Sequence, residues 1–234
     1  MTGRRVGTVL SLGGVALAEL LGRHFDVVWI DLEHGALSLG DMQDAVIGVQ
    51  ASGAAALVRL PFASSFAPSL DAGADGVVVA RVETAEQAAE AVRRIRLPPA
   101  GARGYGPRRV AVRPCVEPPS CVVQIETIRG VEDAGRIASV DGVDALVVGC
   151  ADLSHDLGEA LVFDTPRMRS AIDAVQAAAR SGGTRFGVAG VPAGNVPADA
   201  DVVIVSCDIR IFDAALANAA GAAQEAGEPT WHHG

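Results

Sequence analysis

Residues 121–153 read CVVQIETIRGVEDAGRIASVDGVDALVVGCADL. Two apolar runs of strand length flank one polar spacer of helix length, the pattern of a β-α-β unit. Each run ends in a carboxylate, Glu126 and Asp152. Side chains at i and i+2 of a strand share a face, so Gln124 and Glu126 are expected to point the same way. If the two strands are parallel neighbours, both acids emerge at the C-terminal edge, where α/β proteins place their sites. Two carboxylates converging there can hold a hard divalent cation. Strand-end acids also cap helices, so the pair alone leaves both readings open.

Working outward, the same alternation covers the chain. Strands are expected at Val6–Leu12, Phe25–Leu32, Ala55–Leu60, Gly76–Val82, Arg185–Gly190 and Val202–Ser206, besides the two above. Helices are expected at Ala16–Leu21, from Ser38 to Gln50, Phe66–Ala72, from Thr84 to Ile95, Pro166–Arg180 and Ile211–Ala226. Ser38, Thr84 and Thr165 are the N-caps, and Pro166 suits the first helical position. Pro98–Pro119, rich in Pro, Gly and Arg, reads as an irregular loop, and the chain from about 227 as a frayed tail. Eight near-continuous apolar strands alternating with helices predict a single (β/α)8 barrel in one domain spanning 1–234. An open doubly wound sheet is the runner-up.

Composition excludes more than it assigns. The 234 residues carry a net charge of −9, which argues against nucleic acid as a main partner. No apolar run approaches the roughly 20 residues that span a bilayer. The start, MTGRRVGTVLSLGG, imitates a signal peptide loosely. Its apolar run is short, glycine-interrupted and continuous with the domain pattern, so a first strand and a cytoplasmic protein are expected. Four cysteines without a CxxC pair read as free thiols, not a zinc site. All 19 basic residues are arginine. Without lysine there is no Schiff-base aldolase, no lysine-tethered PLP and no Walker P-loop. No GxGxxG follows the first strand, so NAD is not expected either. Any carbonyl chemistry needs another electron sink, and a metal ion is the obvious one.

In a barrel the strand ends meet around one mouth. They would bring together Asp31, Glu33 and His34, then Arg59, Gln124, Glu126 and Asp152. Carboxylates suit Mg²⁺ or Mn²⁺, arginine suits a carboxylate or oxyanion, and histidine moves a proton near neutral pH. That kit fits a 2-oxo acid. Each piece has a plainer reading: a structural His34, a salt-bridged Arg59, an Asp31 that orients its own loop, and an Asp71 that caps its helix. Gly149-Cys150-Ala151 can be a tight turn or a set of amides facing an anion.

The ordered segments FDVVWIDLEHG, LVRLP, LDAGADGVVV, PPAGARGYG, VVQIET, VDGVDALVVGCADLS and VVIVSCDIRIF resemble the HpcH/HpaI aldolase family from about Gly7 to about Leu216. The resemblance implies a barrel that is a divalent-metal pyruvate aldolase and a homo-oligomer, hexamer or trimer. By motif, Glu126 and Asp152 would be the metal ligands, with Glu33 behind them; Mg²⁺ or Mn²⁺ is expected and Co²⁺ is possible. His34 would be the acid/base, working through a metal-bound water, with Asp71 orienting it and Asp31 in support. Arg59 would hold the pyruvate oxygens, Gln124 would bind pyruvate, and the amides at Gly149, Cys150 and Ala151 would take its carboxylate. The expected reaction is reversible aldol cleavage of a 4-hydroxy-2-oxo acid to pyruvate, or an analogue, and an aldehyde. Two alternatives stand beside it: a citrate-synthase-like or CoA-ester lyase, for which Arg103–Arg113 would serve a polyanionic co-substrate, and a non-catalytic barrel scaffold. Cys150 replaces the family's usual Pro or Ala before ADLS, and the segment carrying Arg108, Arg109 and Arg113 is shortened.

Overall fold

The computed structural model describes residues 3–106, 108–112 and 118–225. In chain order the elements are β1 (Arg5–Leu10), α1 (Val15–Gly22), β2 (Val27–Asp31), α2 (Leu39–Ala51), β3 (Ala55–Pro61), α3 (Ala67–Asp71), β4 (Gly76–Ala80), α4 (Ala85–Ile95) and α5 (Arg109–Val112). There follow β5 (Ser120–Ile125), α6 (Ile128–Glu132), α7 (Ala134–Ala138), β6 (Ala145–Gly149), α8 (Cys150–Asp156), α9 (Pro166–Gly182), β7 (Arg185–Ala189), β8 (Val202–Cys207) and α10 (Asp208–Glu225). The eight strands close in sequence order into a parallel barrel, with β8 returning to β1. The open-sheet alternative is therefore excluded.

The strand pattern explains the closure. Most strand residues are apolar on both faces, and alternate residues feed two separate cores. Val27, Trp29, Leu57, Val78, Val122 and Val147 fill the barrel interior. Val28, Ile30, Val58, Val77, Val123 and Val148 pack outward against the helices. Each such side chain stabilises by about 1.5–3 kcal/mol when fully buried. With few aromatics in the chain, these branched aliphatics carry the packing.

Helix starts follow their caps. The Ser38 hydroxyl accepts from the Asp41 amide while the Asp41 carboxylate accepts from the Ser38 amide, a reciprocal capping box. Thr84 and Thr165 accept from the Gln87 and Met168 amides. Pro166 occupies the first turn of α9, and Gly183, at φ 72°, closes its C-terminus in the left-handed region.

Four local readings need correction. The spacer after β5 holds two short helices, α6 and α7, because the Asp133 backbone leaves the helical region between them (φ −94°, ψ 2°). The loop expected over 98–119 contains the short helix α5. Helix α10 begins at Asp208 rather than Ile211. Asp152 does not end a strand; it lies in the first turn of α8, which follows β6 directly. The expected tail from about 227, together with Arg113, lies outside the described residues.

One carboxylate locks the seam between the first and last strands. Asp208, fully buried at the start of α10, accepts from the Ser11 amide (2.8 Å), the Leu12 amide (2.7 Å) and the Ser11 hydroxyl (2.6 Å). The Thr8 hydroxyl donates to the Ser206 carbonyl alongside.

Candidate active site

Asp31 and Arg59 are directly paired in the parallel register of β2 and β3, so both side chains leave the sheet on the same side. Arg59 Nε donates to Asp31 Oδ1 at 2.9 Å and Nη2 donates to Oδ2 at 2.6 Å, a two-pronged ion pair. Asp31 Oδ1 also accepts from the amides of Glu33 (3.0 Å) and His34 (3.3 Å). Burial would raise the Asp31 pKa, but the Arg59 bonds and charge, with those two amides, outweigh it and hold the carboxyl below its ordinary range. Asp31 thus orients its own loop and Arg59 together. Glu33 Oε2 lies 3.5 Å from Arg59 Nε and 3.7 Å from His34 Nε2. Burial raises the Glu33 pKa, and the charges of Asp31 and Asp152 push the same way. The His34 side chain is 63% exposed and does not line the cleft described below.

Across the mouth, Gln124 on β5 and Glu126 just beyond it are both buried. Gln124 Nε2 donates to Glu126 Oε1, and Gln124 Oε1 has no hydrogen-bond partner among the described residues. The pair is packed against the backbone of Gly149. A β-carbon there would come within 2.6 Å of Glu126 Cγ and 2.7 Å of Gln124 Nε2, so any larger residue at the end of β6 would have to displace those side chains. Burial pushes the Glu126 carboxyl up to about 8, with the charges of Asp152 and Glu33 adding to the shift and Arg59 opposing it. Asp152, itself exposed in the first turn of α8, acts on this cluster through its charge.

These residues fit a divalent cation. A desolvated carboxylate held beside other acids is destabilised unless it is protonated or meets a positive charge. Among the described residues no group of three or more His, Cys, Asp and Glu gathers as a metal cage. Glu126 and Asp152 therefore offer a two-carboxylate set, the kind that suits a hard ion retaining positions for water and substrate oxygens.

The cleft between these groups has a volume of about 610 Å³ and is lined by Trp29, Arg59, Gln124 and Gly149–Asp152, with Arg210 on its far side. It opens at the C-terminal ends of the strands, the end where barrels carry chemistry. Hollows of about 720 and 820 Å³ beside Arg4 and Arg5 open at the opposite end, the one read as serving stability.

Not every expected partner meets. Asp71 does not contact His34 among the described residues. Instead Arg103 donates to Asp71 Oδ1 at 2.8 Å in a buried ion pair, and the backbone of Gly106 packs on the same carboxylate. A carboxylate enclosed this way takes the nearest cation, and the loop over 101–106 supplies it. Arg109 is likewise engaged with Gln50 and the Ala72 carbonyl. The Cys150 thiol is buried, pushed up to about 12 by that burial, so it is no nucleophile. Reading strand ends does not pick out Trp29, Asp208 or Arg210. Trp29 lies two residues before Asp31, hence on its face, and its indole N–H is buried without a partner among the described residues. Asp208 and Arg210 follow β8 directly, a position that the strand-end rule covers once the helix start is placed correctly.

The family profile described as HpcH/HpaI aldolase/citrate lyase matches residues 15–192. The chain belongs to that family. Membership makes it an enzyme, a carbon–carbon lyase of aldolase type. A 4-hydroxy-4-methyl-2-oxoglutarate aldolase of Chaetomium globosum is 37% identical over 182 residues, 71% of this chain and 68% of the relative. A hydroxypyruvate/pyruvate aldolase of Rhizorhabdus wittichii is 33% identical over 191 residues, 76% of each chain. The crystal structure of a family member from Burkholderia cenocepacia superposes with a TM-score of 0.86 at 29% identity, covering 95% of both chains.

Proposed function

We propose that this barrel is a divalent-metal-dependent aldolase that cleaves or forms the C3–C4 bond of a 4-hydroxy-2-oxo acid, giving pyruvate or an analogue plus an aldehyde. The observation that carries the reading is the buried Glu126 beside Asp152, set across the mouth from the Asp31–Arg59 pair. Glu126 and Asp152 would hold Mg²⁺ or Mn²⁺, with Co²⁺ also accommodated, and Glu33 would adjust the charge around them. When bound, the cation supplies Lewis-acid polarisation of the 2-oxo group.

The chain's own residues do the rest. Two edges of Arg59 are fixed by Asp31, which leaves Nη1 to donate to the substrate oxygen that gains charge as C3–C4 opens. Gln124 and the amides at Gly149, Cys150 and Ala151, the N-terminal turn of α8, orient the oxo acid. His34 takes the C4 hydroxyl proton in cleavage and returns it in synthesis. Asp31 positions Arg59 and the His34 loop. Asp71, through Arg103, braces the loop that closes this side of the mouth.

The rival CoA-ester reading asks for available arginines over Arg103–Arg113, whereas Arg103 and Arg109 are engaged within the scaffold. Free Cys121, Cys150 and Cys207 suit a cytoplasmic location. Helix α10 exposes Ile209 and Leu216, which suits a homo-oligomer. The test is cleavage of a 4-hydroxy-2-oxo acid after chelation with EDTA. Turnover should vanish and return with Mg²⁺ or Mn²⁺; chelator-resistant cleavage would remove the metal from the reading.

A further inference from the structure

Three charged side chains line the active-site cleft among the described residues: Arg59, Asp152 and Arg210. Arg59 is neutralised by its two bonds to Asp31. Asp152 belongs to the carboxylate pair with Glu126. Arg210 is different. It makes no hydrogen bond or ion pair among the described residues, although most arginines of this chain are tied to a carboxylate, an amide or a carbonyl.

The backbone that carries it is nonetheless anchored, although the side chain itself is exposed. Arg210 lies in the first turn of α10, two residues after Asp208, whose buried carboxylate is bolted to Ser11 and Leu12. The barrel order sets Arg210, beyond β8, well round the mouth from Arg59 on β3, with β1 and β2 between them. The wall on the Arg210 side is otherwise uncharged: Leu161, Phe163, Val191, Pro192 and Val205, with Ser206 and Cys207 beside them. Such a wall discriminates size but not charge, so a lone guanidinium within it confers charge selection.

We propose that Arg210 is the seat of a second anionic group on the substrate, so that the preferred substrates are 2-oxo dicarboxylates. This rests on the aldolase reading above, which places the 2-oxo acid end between Arg59, Gln124 and α8. The C4 end then extends toward β8 and α10. A carboxylate carried on C4, and hence on the aldehyde or ketone released, meets the Arg210 fork. Recognition through Arg210 also offsets the repulsion that a dianion meets from Asp31, Glu33, Glu126 and Asp152 at the other end.

The test separates the subsite from the reaction. With saturating Mg²⁺, calorimetric titration compares 2-oxoglutarate with 2-oxopentanoate, which has the same chain length and one carboxylate fewer. The intact enzyme should bind 2-oxoglutarate about 10–100-fold more tightly, the worth of a charge-assisted hydrogen bond. Arg210→Leu should erase that preference and Arg210→Lys should keep part of it. Equal affinities in the intact enzyme, or a preference that survives in Arg210→Leu, overturns the proposal. A second arm measures the ratio of kcat/KM for 4-hydroxy-2-oxoglutarate over 4-hydroxy-2-oxopentanoate, which should fall by a similar factor in Arg210→Leu. If neither compound is cleaved while the calorimetric preference appears and is lost with Arg210, the aldolase reading fails and the anion seat stands.

Discussion

Arg59 grips Asp31 through two parallel bonds, Nε to Oδ1 at 2.9 Å and Nη2 to Oδ2 at 2.6 Å, and this pairing leaves Nη1 as the remaining terminal nitrogen of Arg59. The pair is set by strand register, so neither residue can drift without disturbing β2 or β3. Asp31→Asn removes one acceptor and the charge, while the loop amides of Glu33 and His34 keep an oxygen to bond. The expected loss in kcat/KM is about 10–100-fold, with most of the protein's stability retained. Arg59→Lys should fare no better, because an ammonium cannot reproduce the fork. Steady-state kinetics on the two variants checks this.

His34 lies largely in the open, beside Glu33. His34→Ala should lower kcat by ~10²–10⁴-fold, the usual worth of a positioned acid/base. Undiminished turnover in that variant would remove it from the reaction.

Gly149 offers a steric probe of the carboxylate pair. Its backbone, at φ −83° and ψ 91°, is one that alanine adopts without strain. The added methyl would collide with Glu126 and Gln124. Gly149→Ala should therefore weaken Mg²⁺ or Mn²⁺ binding by about 10–100-fold by displacing a ligand. Overpacking should also cost about 1–3 kcal/mol of stability. Metal titration calorimetry and thermal melts read the two effects separately.

Burial and the neighbouring acids push Glu126 up to about 8, whereas an unfolded chain ionises it near ~4.3. A raised carboxyl pKa means the unfolded state gives up this proton first. The stability contributed by protonated Glu126 is full below ~4.3 and is lost as pH climbs through about 8. The Tm of metal-free protein should fall over this range more steeply than that of Glu126→Gln. Added Mg²⁺ should recover more degrees at high pH than at low pH. Parallel Tm–pH curves for the two proteins would contradict the assignment.

Much of this was legible in the chain. The alternation of fully apolar strands with capped helices is a local property, and it fixes a closed parallel barrel once eight units are counted. Asp31, Arg59, Gln124 and Glu126 were legible too, because strand ends and i, i+2 spacing place side chains directly. What escaped depends on distant pairing. Nothing near Asp71 in sequence announces Arg103 as its partner. Trp29 reads as one more core residue until its indole N–H is found without an acceptor. Asp152 reads as a strand end because the turn into α8 has no punctuating residue after Gly149.

The bolt at Asp208 has a consequence for how the chain comes to be made. It ties Ser11 and Leu12 to a residue nearly two hundred positions later, and the first strand has no neighbour on that flank until Val202 arrives. Contacts so far apart in sequence are slow to form. During synthesis the early staves leave the ribosome with one hydrogen-bonding edge open, and the cylinder cannot shut before its last stave emerges. Any truncation upstream of Asp208 would thus leave a split sheet with an adhesive border, prone to aggregate rather than to persist as a weakened enzyme.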